Sequence, residues 1–203
     1  HVVPVIERAE IGRWPAMGVL GRQAEAWVGR PLSEVELVDL YSCFPIAVRL
    51  QAEELGIDLD GSLSVTGGMT FGGGPFNSYV LESTVAMAEA LRESSGSMGL
   101  VTTVSGLLTK PGLALWSSSA IPSGTLVADL AAEASLATSA VSCEPAVTGQ
   151  ALMIETATAW RDGEAGTAAV VGSDETGQRR LAILHDDASV ERFEASGCIG
   201  EEL

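Results

Sequence analysis

A cysteine thiol just ahead of a helix can be drawn toward thiolate, and Cys43 stands two residues before Pro45, a residue suited to a first helical turn. A thiolate nucleophile also needs a base, and the two histidines are His1, at the terminus, and His185. The plainer reading, a small buried thiol packing beside Phe44, is therefore preferred. His185-Asp186-Asp187 has metal-ligand residue types, but neighbours along a strand point to opposite faces. No second histidine or suitably spaced cysteine completes a site, so a polar cluster at a hairpin end is expected. Residues 67–74, closing on Gly72, Gly73 and Gly74, run into a helix, where backbone N–H groups can hold an anion or a thioester oxygen. The steric alternative is that these glycines let turn and helix pack closely on a sheet, and both readings stand. Their order is not that of a dinucleotide-binding loop.

These residues need elements to position them, and the periodicity supplies a set. Residues 2–5 are a short apolar run that reads as a buried strand. Met17, Leu20, Ala24 and Trp27 recur at helical spacing after Pro15. Residues 37–41 read as a strand, 45–55 as a helix capped by Gly56, and 63–66 as a strand entering the glycine turn. Val80, Thr84, Met87 and Leu91 mark a third helix, and residues 99–104 and 113–116 two more strands. Strands alternating with helices predict an α/β layer over residues 1–118 with a mostly parallel sheet. Ser117-Ser118-Ser119 reads as a linker. Residues 119–203 are expected to form a small β-rich domain, with a helix near 129–137 and antiparallel strands at 151–160, 167–173 and 180–185. Turns at Asp162-Gly163 and Thr176-Gly177 set the hairpins of a barrel-like unit lacking its last strand, whose open edge lies near Leu203.

Composition bounds the function classes. Net charge is −16, with 27 acidic against 11 basic side chains, which repels a nucleic-acid backbone. No apolar run approaches the ~20 residues that span a bilayer. The cysteines number three and lie far apart, as expected of reduced thiols in a cytoplasmic protein. The chain opens on His1 without an initiator Met and ends at Leu203 as though entering a strand, so it reads as a piece of something longer.

Three segments, in order, resemble the C-terminal domain of the thiolase superfamily. Asp39-Leu40-Tyr41-Ser42-Cys43-Phe44-Pro45 lies where thiolases carry Asn-Glu-Ala-Phe. Gly67-Gly68-Met69-Thr70-Phe71-Gly72-Gly73-Gly74-Pro75 resembles their Gly-Gly-x-x-x-x-Gly-His-Pro loop. Gly99-Leu100-Val101-Thr102-Thr103-Val104-Ser105-Gly106 lies where the family ends a strand in Cys-x-Gly-Gly-Gly. The likeness is to the acetyl-CoA acetyltransferase-like branch, thiolase-like proteins type 1, which append a small C-terminal β domain.

The resemblance implies that the acyl-carrying Cys belongs to an N-terminal half outside this chain. It places the family's Asn at Tyr41, its His at Gly74 and its second Cys at Val104. Gly74 has no imidazole and Val104 no exchangeable proton, so thiolase catalysis by this chain is not expected. The implied role is acyl-CoA or lipid-acyl binding or assembly, with a coenzyme A thioester as ligand and no other cofactor. Gly72, Gly73, Gly74 and Lys110 are the candidate ligand contacts, although a solvated Lys110 is the simpler expectation. The alternative is an acyltransferase half that works with an N-terminal half carrying the nucleophilic Cys, and a third is a scaffold whose β domain docks a partner. Without that half, one apolar face of residues 1–118 should be exposed or covered by another chain.

Overall fold

A computed structural model describes residues 3–163, 165–195 and 198–203, which divide into two compact units, His1–Ser139 and Ala140–Leu203. His1, named above as a distant candidate base, and Val2 lie outside the described residues.

In the first unit, helix α1 (Pro15–Val28) starts on proline and ends where Gly29, at φ 76°, donates its N–H to the carbonyl of Glu25. Its buried face carries Ala16, Met17, Gly18, Gly21 and Ala24 and packs on helix α2 (Pro45–Leu55). A Cβ on Gly21 would lie 2.7 Å from Leu55 Cδ2, so only glycine allows that approach. Strands β1 (Leu37–Asp39), β2 (Met98–Ser105) and β3 (Lys110–Ser117) form one sheet in that order.

The sheet is not mostly parallel. β1 and β2 run parallel, Leu37 opposite Gly99, but β2 and β3 run antiparallel, Met98 opposite Ser117. The connection between β2 and β3 is a tight turn, which cannot carry a parallel crossover. Residues 63–66 form no strand. After one ladder-like bond, Leu40 N–H to the Leu63 carbonyl, the N–H groups of Val65 and Thr66 turn to the Asp39 side chain. The expected strand at 2–5 is likewise absent from its described part, and Val5–Glu7 is a 3-10 turn.

A short helix α3 (Met69–Gly72) precedes α4 (Tyr79–Glu93), which lays Met87 and Leu91 against Val101 of the sheet. Toward its start the most buried positions are Tyr79 and Ser83 rather than Val80 and Thr84, because both hydroxyls reach Asp39. Helix α5 (Ala131–Ala137) packs on α1, so the segment after Ser117-Ser118-Ser119 belongs with this unit as far as Ser139.

The second unit is an open four-stranded sheet in the order β4 (Cys143–Pro145), β7 (Arg179–Leu184), β6 (Ala165–Ser173), β5 (Met153–Asp162). The two hairpins read from the sequence are present, with β5–β6 and β6–β7 antiparallel. Among the described residues no barrel closes: the sheet ends on β4 and β5, and helix α6 (Asp187–Glu194) covers β5 and β6 through buried Val190. The His185-Asp186-Asp187 cluster starts this helix, with Asp186 capping it by accepting from Ser189 N–H at 2.8 Å. The β5 edge is not open near Leu203. Ile154 N–H donates to the Glu201 carbonyl and Leu203 N–H to the Leu152 carbonyl, so the chain's last residues pair with it themselves.

Candidate functional site

The site is built on the exit from β1. Asp39, fully buried, gathers the elements around it. Its Oδ2 accepts from Ser64 Oγ, Val65 N, Thr66 N and Thr66 Oγ1 at 2.9 to 3.0 Å. Its Oδ1 accepts from the hydroxyls of Tyr79 and Ser83, each at 2.8 Å. A buried carboxyl group without partners is costly, and this one is fully supplied. It ties the segment before the glycine turn, and the start of α4, to the end of the sheet. In the sequence Asp39 reads only as one residue of the strand at 37–41. Its signal was an acidic residue inside an apolar run, with Ser64 and Thr66 two residues apart downstream.

Beyond Asp39 the backbone of Tyr41 is fixed at both polar groups. Its N–H donates to Thr102 Oγ1 and its carbonyl accepts from Gln51 Nε2, both at 2.9 Å. Gln51 is fully buried and also donates to the Ala47 carbonyl at 2.7 Å. The Tyr41 ring, 6% exposed, meets Tyr79 edge to face at 5.5 Å between centroids. Its hydroxyl makes no hydrogen bond among the described residues and is open to solvent.

Tyr41, Cys43 and Val104 line one groove of about 660 Å³. Phe44 and Ile46 from the start of α2, Val80 from α4, and Leu107 and Leu108 from the β2–β3 turn supply most of its remaining wall. Asn77, Thr103 and Ser105 add polar atoms, and no basic side chain lines it. Two stretches of unusual backbone flank the groove. Gly106, Leu107 and Leu108 follow one another at φ 59°, 52° and 63°, and Phe76 and Asn77 lie at 51° and 65°. Left-handed backbone is costly for residues other than glycine, and here it turns the chain so that leucines face the groove. The turn is held by buried Arg8, whose Nη2 donates to the Leu108 carbonyl, and by Thr109 Oγ1, which donates to the Gly106 carbonyl at 2.6 Å.

Cys43 is half-buried, and burial pushes its thiol pKa up, outweighing the pull of the Phe44 and Cys43 backbone N–H groups. Burial also raises the Tyr41 phenol, with smaller contributions from Cys43 and Tyr79. Both groups are thus held protonated at neutral pH, the opposite of an activated nucleophile.

Gly74 is not part of the groove wall. A Cβ there would lie 2.6 Å from Met69 Cε, so the position is filled by packing. The glycine turn offers few free donors: the N–H groups of Gly68, Phe71, Gly72 and Gly73 bond within the turn, and that of Met69 donates to Ser42 Oγ at 2.8 Å. Gly73, at φ 82° and ψ −150°, needs to be glycine for its conformation. Lys110 is exposed at the start of β3, opposite Ser105 and so beside the groove rim. A second, shallow depression of about 510 Å³ between α1 and α5 contains none of these residues. Among the described residues no three His, Cys, Asp or Glu side chains cluster to hold a metal, and no helix is long and apolar enough to cross a membrane.

No protein-family profile matches this sequence, and no curated protein does. Among solved structures, a monomeric SCP2-thiolase like protein type 1 from Mycobacterium smegmatis is similar over 99% of this chain, with a TM-score of 0.86 and 28% identity. The chain spans 45% of the length of that structure. The fold is therefore thiolase-like, mixed α/β with two sheets.

Proposed function

We propose that this chain is the C-terminal part of a thiolase-like, acetyl-CoA acetyltransferase-like protein. In this reading its first unit binds the acyl part of a coenzyme A or lipid-linked thioester without performing thiolase chemistry. The observation that carries it is the groove itself, which gathers Tyr41, Cys43 and Val104 in an apolar wall. Its volume lies in the range typical of small-molecule sites. Val104 moves no proton, Gly74 donates no imidazole N–H, and the Cys43 thiol is held protonated. Lys110, opposite Ser105 at the rim, would meet a phosphate of a bound coenzyme A.

The test pairs binding with activity. Octanoyl-CoA should bind the chain by calorimetry, and Val104→Trp, which fills the groove, should weaken it at least tenfold. Acetoacetyl-CoA thiolysis should stay at the uncatalysed rate. Turnover that disappears in Cys43→Ser would defeat the non-catalytic reading, and binding indifferent to Val104→Trp would defeat the groove.

The alternative, an acyltransferase half completed by an N-terminal half with the nucleophilic Cys, draws on a different observation. Phe71, Phe76 and Leu81 are 82%, 104% and 70% exposed in the first unit, apolar side chains that a partner chain would cover. Thiolysis that appears only on adding a thiolase N-terminal half would favour this alternative.

A further inference from the structure

The connection from β2 to β3 is one turn of left-handed helix. Gly106, Leu107 and Leu108 all lie at positive φ, and the N–H of Thr109 closes the turn on the Ser105 carbonyl at 3.2 Å. Two leucines in that conformation are costly, and such backbone persists only where its surroundings hold it. Thr109 Oγ1 holds the Gly106 carbonyl from within the turn. The Leu108 carbonyl is held from 100 residues earlier in the chain, by Arg8 Nη2.

Arg8 is a costly donor for that task. It is 1% exposed, and taking a guanidinium out of water is unfavourable unless its bonds are well made. Its Nη1 donates to a second backbone carbonyl, that of Arg13, at 3.2 Å. The segment carrying it is itself fixed: Arg8 N–H donates to the Val5 carbonyl at 3.1 Å, and Ala9 N–H to the Ser139 carbonyl at 2.9 Å. Val5 lines the groove, as do Leu107 and Leu108, whereas Arg8 does not. Whatever Arg8 does for a ligand must therefore pass through the turn. We infer that Arg8 is a positioning residue for the groove: by holding the Leu108 carbonyl it keeps the turn left-handed, with both leucines in the wall, and so sets how tightly the groove takes the hydrocarbon part of its ligand. A turn released to ordinary backbone would point its leucines elsewhere and leave that side of the groove to water. The coenzyme A part of a thioester would be unaffected.

This inference rests on the groove being the acyl site, and the experiment separates the two. Butanoyl-CoA and octanoyl-CoA are titrated by calorimetry into the whole 203-residue chain and into its Arg8→Met and Thr109→Val variants. The longer chain should bind the wild type about tenfold or more tightly than the shorter, through the added methylenes it buries. Each variant should cut that gain to about threefold or less while leaving butanoyl-CoA affinity nearly unchanged. The double variant should lose no more than the larger single loss, because both clamps serve one turn. A readout without ligand accompanies these: the Thr109 amide should exchange its hydrogen about tenfold faster in Arg8→Met, with the amides at the middle of β2 as protected as before. If Arg8→Met does not fold, Thr109→Val decides alone. A wild-type gain that the folded variants keep would overturn the role of Arg8 and leave the groove standing. No gain in the wild type would remove the acyl groove, and this inference with it.

Discussion

Two tyrosines, whose rings meet edge to face at 5.5 Å between centroids, divide the labour of the site. Tyr79 spends its hydroxyl on Asp39, whose carboxyl oxygens hold the segment 64–66 and the start of α4. Tyr41 keeps its hydroxyl unpartnered among the described residues. Removing each hydroxyl should therefore have opposite consequences for folding. Tyr79→Phe takes one donor from a buried carboxyl group and should cost about 1.5–3 kcal/mol of stability, read as a lower urea midpoint. Tyr41→Phe removes a solvent-accessible hydroxyl with no internal bond, and its midpoint should be unchanged or higher. A loss for Tyr41→Phe as large as that for Tyr79→Phe would show a hidden structural partner.

At the scale of elements, the turn between β2 and β3 does two jobs. It is short, which forces β3 antiparallel to β2, and it runs left-handed through Gly106, Leu107 and Leu108. Arg8 and Thr109 clamp its carbonyls, which offsets the backbone strain. Leu107 is largely exposed, so its side chain returns little packing for the conformation it adopts. Leu107→Gly should therefore raise stability by up to about 1 kcal/mol, since glycine takes positive φ freely. A fall in thermal midpoint would mean that Leu107 packing outweighs the strain. The same scale explains why 63–66 is not a strand: its amides meet a carboxyl group before they can meet a neighbouring strand.

For the whole molecule, acidity is the dominant surface property, yet individual carboxylates are anchored. Glu36, at the entry to β1, accepts from Arg30 at 2.8 and 3.1 Å and from Met98 N–H at 2.9 Å, joining the starts of β1 and β2. The Arg30 hydrogen bonds, opposed by partial desolvation, lower its pKa from 4.5 to about 2. A carboxylate with a depressed folded pKa stabilises fully above its unfolded value and loses that contribution as pH falls through the folded one. The stability gap between wild type and Glu36→Gln should hold its full size at pH 6, shrink from pH 4.5 downward and close by about pH 2. With Glu36 substantially exposed, the gap should be at most about 1 kcal/mol. A gap independent of pH would mean that Glu36 acts through packing alone. In the second unit Asp174 is likewise held well below the usual carboxylate range, chiefly by the Thr176 hydroxyl and then by Arg180.

The sequence by itself determined most of the elements. Pro15, Pro45, Gly29 and Gly56 bound α1 and α2, and the hairpins of the second unit followed from Asp162-Gly163 and Thr176-Gly177, because caps and turns are local chemistry. It also placed Tyr41, Cys43 and Val104 in one family-like pattern, and the fold brings them to one groove. Strand direction, the loss of the 63–66 strand and the open sheet in place of a barrel were decided by tertiary contacts. So was the closing of the β5 edge by residues 200–203. In each case a backbone group chose among partners distant in sequence, and periodicity carries no information about that choice. Gly74 left the groove wall for the same reason, since the packing of Met69 against it is visible only in three dimensions. The Tyr41 hydroxyl shows the limit most plainly: residue type gave it a donor, but only the folded surroundings left that donor without a protein acceptor.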